Sequence, residues 1–166
     1  MENKITIKSQ LRKLSFLIIY MILFIFLFYF TYSIKYMSIV SLLLLGLFTF
    51  PTIYIHYNYY KNIRGEILIF ENEKIIIKSS RNNSVIVINI SDIINISVFM
   101  SGARISNIVN RNFAFENYYY YEIKSKNNEI IIINSLYNEN LDLMFKKTYP
   151  FLKIEIIEVY YPLIKN

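Results

Sequence analysis

The sequence predicts a membrane-embedded α-helical hairpin followed by an α+β soluble domain. Residues 14–34 and 37–57 form two apolar runs that contain no Asp, Glu, Lys or Arg. From Gly65 onward, short apolar runs alternate with polar residues, as in half-buried β-strands, and one segment near the C-terminus has helical spacing instead. We therefore divide the chain into a basic N-terminus (1–13), a transmembrane hairpin (14–57) and a β-rich cytoplasmic domain (58–166).

The length of the two apolar runs and the short link between them predict the hairpin. Each run, as an α-helix, is long enough to cross a hydrocarbon core of about 30 Å. Lys35 and Tyr36 alone separate the runs, so the two helices must be antiparallel neighbours. A cleaved signal peptide is the alternative for the first run. That alternative requires a shorter apolar region and a small-x-small cleavage site, and the sequence has neither.

Flanking charges predict the orientation. Lys4, Lys8, Arg12 and Lys13 precede the first run, Lys61 and Arg64 follow the second, and Lys35 stands alone at the tip. The positive-inside rule places the cation-rich ends in the cytoplasm. We therefore expect a multi-pass protein of the cytoplasmic (inner) membrane with both termini inside.

The second run carries one small and polar face. At 100° per residue, five side chains fall within about 80° of each other. They are Ser38, Ser41, Thr49, Thr52 and His56. Small hydroxylated residues allow close helix packing in lipid. This face either packs on the first helix or forms a seam with a second copy or a partner subunit.

Composition excludes several kinds of chemistry. The chain has no Cys and one His, so disulfides, zinc–thiolate sites and Cys nucleophiles are excluded. Three Gly residues in total leave no phosphate-binding loop, and no catalytic triad can form in the soluble part. Residues 1–13 carry +3 of the formal net charge of +6, and residues 58–166, with thirteen cations and eleven acids, are nearly balanced, which argues against nucleic-acid binding. We expect no cofactor, no metal and no enzymatic activity.

The soluble part reads as a series of short strands with one helix. The predicted strands cover residues 65–70, 73–78, 85–90, 94–100, 118–126 and 129–134, with a final strand at 152–161. The predicted helix begins at Asn138 or Asn140 and ends before Pro150. Residues 101–117 form the longest irregular stretch, and a loop of this length is often functional.

This order of elements resembles the pleckstrin-homology-like (PH-like) superfold, as found in small bacterial membrane proteins with an N-terminal helical hairpin. The resemblance covers residues 60–149 and implies a small β-barrel or sandwich with one C-terminal helix. It also implies seven strands before that helix, whereas we count six unless 101–117 contains another. The final strand is a second departure. The acidic 71–73 turn, at the position of the family's first hairpin loop, does not favour phosphoinositide binding.

Three surfaces are candidates for contact with a partner or with lipid. Arg104 and Arg111 with Phe113 and Phe115 would form a basic and aromatic patch, or else a solvated loop. Lys78 and Arg81 would touch anionic headgroups, or else form an ordinary charged turn. Tyr118 and Tyr120 would form an exposed aromatic surface, or else cover the core.

These features favour a non-catalytic accessory or regulatory protein of the membrane. We expect the PH-like domain to bind a protein partner, or a second copy, at the inner surface. The alternative is a sensor of anionic lipid headgroups. A small integral membrane enzyme is a more distant alternative.

Overall fold

The computed structural model describes residues 2–4, 6–32, 35–106, 113–138 and 140–165. A short strand β1 (Glu2–Lys4) comes first. Three helices follow, namely α1 (Ile7–Lys13), α2 (Ser15–Thr31) and α3 (Lys35–Ile63). The helices α2 and α3 lie against each other, and the β-rich part begins directly after α3.

Two four-stranded sheets form the β-rich part. The first sheet has the order β1-β2-β3-β4 and is antiparallel throughout. The second has the order β7-β6-β5-β8, in which β8 is parallel to β5. The strands are β2 (Glu66–Phe70), β3 (Lys74–Ser79), β4 (Ser84–Asn89), β5 (Ile93–Met100), β6 (Tyr119–Ser125), β7 (Ile130–Asn134) and β8 (Ile154–Glu158). A short helix α4 (Gly102–Ile105) follows β5, and α5 (Leu141–Thr148) lies between β7 and β8.

The N-terminus is part of the first sheet, which the sequence did not predict. Lys4 on β1 pairs with Ile67 on β2, so β1 brings the number of strands before α5 to seven among the described residues. The helices α1 to α3 are therefore inserted between the first two strands, and the acidic 71–73 turn is the second connection. A three-residue strand is too short to show a period-two pattern, so residues 2–4 looked like a basic tail.

The irregular stretch does not supply the missing strand in its described parts. Residues 101–106 contain α4, and Ala114–Asn117 form a 3-10 turn. Residues 107–112, and with them the predicted contact Arg111, lie outside the described residues. The final strand predicted at 152–161 is present as β8.

The helical boundaries also differ from the prediction. Among the described residues, one helix, covering 36–63, is long and apolar enough to cross a membrane, whereas α2 is a shorter apolar helix. A two-helix transmembrane hairpin is therefore not confirmed. The helix α3 continues past residue 57 because Ile55, Tyr59 and Ile63 are buried in the core of the β-rich part.

The core lies between the two sheets, the end of α3 and α5. Leu68, Ile75, Ile96 and Ile123 fill it from both sheets. From α5, Leu141, Met144 and Phe145 are buried, as the helical spacing predicts. The two residues between the strands predicted at 118–126 and 129–134 form a turn, with Asn128 at φ 60°, a conformation that Asn tolerates.

Candidate functional site

The end of α3 is bonded directly to the second sheet. His56 Nδ1 lies 2.9 Å from Tyr118 Oη, and the Tyr59 ring packs edge-on against Tyr118 and Tyr120. The Asn134 side-chain amide donates to the Tyr59 carbonyl at 3.3 Å. Because Tyr59, Tyr118 and Asn134 are buried and paired, the helix and the sheet form one continuous core.

The C-terminal tail returns to the same helix. Tyr59 Oη donates to the Pro162 carbonyl at 2.7 Å. Asn58 donates to the Ile164 carbonyl at 3.2 Å and accepts from the Ile164 amide at 3.1 Å. Phe115 packs against the Tyr161 ring at 4.9 Å. The tail is therefore fixed beside the point where α3 enters the β-rich part.

A charged cluster lies between α4, β6 and α5. The Arg104 guanidinium donates to Asp142 at 2.6 Å, and Tyr121 Oη donates to the other Asp142 oxygen at 2.6 Å. The guanidinium also lies 3.7 Å above the Tyr119 ring. Burial, and next the negative charge of Asp142, raise the pKa of Tyr121 well above its ordinary value. This cluster is a structural network beside a cavity of about 320 Å³.

A second, more polar cavity of about 400 Å³ lies where α1 turns into α2. We call it the elbow pocket, and its lining residues are Arg12, Lys13, Ser15, Phe16, Arg104, Asn117 and Asn140. Lys13 is 7% exposed. Its Nζ donates to the Asn117 carbonyl at 3.4 Å and lies 5.9 Å from the Tyr119 ring. Lys13 and Arg104 therefore both contact one aromatic ring beside this pocket.

The outer face of the first sheet carries apolar side chains in rows. In one row, Ile69 pairs with Ile76, which pairs with Val87. In the next row, Lys78 on β3 lies between Ile67 on β2 and Val85 on β4. Val85 and Val87 are 57% and 52% exposed. We call Ile67, Ile69, Ile76, Val85 and Val87 the outer patch.

The predicted basic contacts separate into two environments. Lys78 and Arg81 are exposed, at the end of β3 and in the turn to β4. Arg104 is different, because its side chain is 12% exposed and paired with Asp142. It therefore does not lie on an open basic loop as the sequence suggested.

The aromatic rings that the sequence offered as contacts are largely buried, and Tyr118 and Tyr120 follow the alternative in which they cover the core. Phe113 stacks on Phe115, which is 3% exposed. Tyr118 is fully buried, and Tyr120 stacks on Phe99 with ring centres 4.7 Å apart. Burial, followed by the nearby Glu122 charge, raises the pKa of Tyr120 to about 12.

The reason for this burial is the position of β6. It is an inner strand of its sheet, between β5 and β7. Tyr120 faces Tyr59 on α3, while Tyr121 stacks on Phe145 of α5 at 4.5 Å. Because helices cover both faces, the tyrosines on either side of the strand are withdrawn from solvent.

The small and polar face of α3 is covered within the chain. Ser41, Thr49 and Thr52 are buried, and Ser38 Oγ donates to the Thr31 carbonyl at the end of α2 at 2.9 Å. His56 belongs to the same face and bonds to Tyr118. This arrangement favours internal packing over a seam with another subunit.

Sequence reasoning missed Lys13, Asn58 and Asp142 as organising residues. Lys13 carried a topological signal, but nothing in the sequence placed it beside Arg104, about ninety positions away. The described residues contain no group of three or more His, Asp or Glu side chains that could hold a metal ion.

In the part of the chain that the structure describes, seven strands in two sheets, followed by a helix, define a PH-like sandwich with helices inserted after its first strand. A protein-family model of the PH domain matches residues 2–145, and the chain belongs to that family. The match begins at β1 and ends within α5, so β8 and the tail lie beyond it. No curated protein and no solved structure matches the chain. PH domains typically bind proteins or lipids, and such binding is compatible with a non-catalytic binder.

Proposed function

We propose that this protein is a non-catalytic accessory protein of the cytoplasmic membrane. Its helices anchor it, and its PH domain binds a partner protein at the inner surface. The Asp142 carboxylate accepts hydrogen bonds from Arg104 and Tyr121, which supports a structural role for it.

Anchoring is supported by apolar side chains that face outward on both long helices. On α2, Phe26 is 63% exposed, and on α3, Leu43 and Leu47 are 64% and 69% exposed. Contiguous apolar surface of this extent is rare on soluble monomers. In a hydrocarbon environment this apolar surface does not contact water, so the unfavourable free energy of hydrating it is absent.

Sidedness is proposed from the flanking cations and is tested by labelling single cysteines. The chain has no native Cys, so Y36C and N127C each carry one thiol. In intact cells, a membrane-impermeant maleimide should label Y36C from outside, while N127C should require permeabilisation. Labelling of N127C alone would reverse the orientation.

The observation that carries the partner proposal is the outer patch together with the β4 edge. In its sheet β4 pairs with β3, and the other side of β4 has no strand neighbour among the described residues. The strand contains no charged residue and no Pro. Natural edge strands are usually protected by such residues, so an apolar unprotected edge favours addition of an extended segment from a partner.

Affinity purification in mild detergent tests this surface. We expect the wild-type chain to recover a specific partner, and V87K to reduce recovery by about tenfold, which corresponds to ~1.4 kcal/mol. The reason is that a lysine on the edge strand β4, at the end of the apolar row beside Ile76, would have to be desolvated when a partner segment covers it. L143K is the matched control, because Leu143 is 65% exposed on α5. Equal recovery with wild type and V87K would refute the surface.

A further inference from the structure

We propose that β8 is a displaceable cover on the edge of β5, and that an extended segment of a partner protein takes its place there. This edge is separate from the β4 edge of the proposed function, because it belongs to the second sheet and is closed by the chain itself. Both β8 and the C-terminal tail lie beyond the family match at residues 2–145. The attachment of the tail to α3 controls how readily β8 leaves.

The strand β5 has the composition of an edge that needs a cover. It contains no charged residue and no Pro, which are the usual means of protecting an exposed edge strand. One side of β5 pairs with β6 and the other with β8. Ile96 and Val98 of β5 are 1% and 2% exposed, so the strand itself is fixed in the core. Departure of β8 would therefore open a row of backbone N–H and C=O groups on a fixed strand, to which another extended segment can pair.

The strand β8 is held mainly through its backbone. It pairs with β5 in parallel over five residues, and parallel pairs are slightly less stable per residue than antiparallel ones. Each of its five side chains is exposed or half-buried, and Ile156 is 57% exposed. The packing beneath the strand is incomplete, because Ile154 and Ile156 line the cavity of about 320 Å³ beside Asp142. A strand with so few buried contacts is expected to open locally, without unfolding of the whole domain.

The contacts of β8 indicate which kind of segment fits the edge. Two donors on β5, the Asn95 amide and the Ser97 hydroxyl, each lie 3.4 Å from the Glu155 carboxylate. Ile154 and Ile157, on either side of this glutamate, are half-buried. We therefore expect the partner segment to be extended, with branched apolar residues flanking a carboxylate that reaches the same two donors.

The tail holds the C-terminal end of β8 in place through α3. Directly after β8, the Val159 amide donates to the Met100 carbonyl at 3.0 Å. Further on, Tyr59 Oη of α3 donates to the Pro162 carbonyl at 2.7 Å, and Ile164 is 3% exposed. The buried contacts of this C-terminal region thus belong to the tail and not to β8. Loosening the tail from α3 should therefore let β8 open, and a shift of α3 would reach the β5 edge by this route.

Hydrogen exchange of the full chain in neutral detergent tests the control by the tail. In the wild type, the slowest amides of β8 should exchange at least about tenfold faster than those of β6, which lies inside its sheet. N58A removes both hydrogen bonds to the Ile164 backbone and should accelerate the β8 amides by about a further tenfold, while β6 is unchanged. N62A is the matched control. Exchange of β8 at the rate of β6, or at the same rate in N58A and N62A, would overturn the proposal.

Peptide binding to the full chain tests the edge itself. A fluorescent peptide with the sequence of residues 152–160 represents the partner segment, and its anisotropy reports binding. S97C/E155C places two thiols at register partners in a chain without native Cys, so oxidation fastens β8 to β5. The reduced chain should bind the peptide, and the oxidised chain should bind it at least about tenfold less tightly. N58A should bind it about tenfold more tightly than wild type, because β8 leaves its place more often.

Three results would overturn this assignment of the edge. Equal binding by the oxidised and reduced chains would place the peptide elsewhere, and effects of the substitutions themselves are common to both states. Equal binding of a peptide that carries E155K would show that the carboxylate is not recognised. A dimer of N58A, formed by exchange of β8 between copies, would assign the edge to a second copy of the chain instead. V87K should bind the peptide as wild type does, so failure at the β4 edge and failure at the β5 edge are distinguishable.

Discussion

His56 on α3 and Tyr118, the residue just before β6, are joined by a hydrogen bond of 2.9 Å, with their rings edge-to-face. The pair connects the apolar helix to the second sheet, and Tyr59 packs against the same tyrosine one helical turn later. Since the helix and the PH domain share this contact, a change in the position of α3 would be transmitted to the sheet.

The first prediction concerns that hydrogen bond. Y118F keeps the ring but leaves His56 Nδ1 without its partner, so we expect the free energy of unfolding to fall by about 1–3 kcal/mol. Chemical unfolding in neutral detergent measures the change. Y36F is the matched control, because Tyr36 is 83% exposed. Equal stability of Y118F and Y36F would contradict a stabilising role.

The second prediction concerns the pair between Arg104 and Asp142. D142N leaves the Arg104 guanidinium, which is 12% exposed, without its counter-charge. We expect the free energy of unfolding to fall by about 3 kcal/mol. This value is at the low end for a buried pair because Asp142 is 28% exposed. D92N breaks the exposed contact with Lys126 and should cost less than about 1 kcal/mol. Both are read from unfolding midpoints. The prediction fails if the two substitutions cost the same.

The third prediction concerns the C-terminal tail. N58A removes both hydrogen bonds to the Ile164 backbone, so the tail should open more often. Hydrogen exchange of the Ile164 amide should accelerate by about tenfold for each 1.4 kcal/mol by which N58A lowers the free energy of opening the tail. N62A is the control, because Asn62 donates to a helix carbonyl and not to the tail. Unchanged exchange in N58A would show that other contacts hold the tail.

The fourth prediction concerns alkaline pH. Burial raises the pKa of Tyr121 and of Tyr137, and the charges of Asp142 and Glu66 raise them further. Below about pH 10 both groups are neutral whether the chain is folded or unfolded, so their contribution to stability is fully present. Above that pH the unfolded chain loses protons that the folded chain keeps. Stability should therefore fall with rising pH by up to about 1.4 kcal/mol per unit for each tyrosine.

Phenolate absorbance and unfolding, followed together, check this effect. The signal from the buried tyrosines should appear with the unfolding transition, and Y121F should have a shallower dependence of stability on pH. Full ionisation of all tyrosines while the protein remains folded would contradict the prediction.

Much of the fold follows from local patterns. Strands β2 to β8 and helix α5 lie close to their predicted positions because each has its own period and its own turn residues, such as Asn127 and Asn128. The strand β1 escaped prediction because three residues carry no period, and pairing with Ile67 and Ile69 makes it a strand.

The candidate sites depended more heavily on long-range contacts. The sequence left open whether Tyr118 and Tyr120 are exposed or cover the core, because period-two alternation identifies two faces but not whether both are covered; the structure buries both rings. Likewise, Arg104 belonged to a polar stretch in sequence, yet it lies over the Tyr119 ring and pairs with Asp142. The positive charge of Lys13, which predicted the orientation in the membrane, is a local feature of the sequence. Its burial beside Arg104 depends on long-range contacts.

By itself, the sequence determined two apolar helices, the strand-rich order of a PH-like domain and the absence of cysteine chemistry, because hydrophobic period and composition are local properties. Tertiary structure alone decided that Glu2–Lys4 completes the first sheet, that α3 ends inside the core, and that Arg12, Lys13 and Arg104 line one pocket. Those features depend on contacts between residues far apart along the chain, and such contacts are set when the two sheets and the helices close around a shared core.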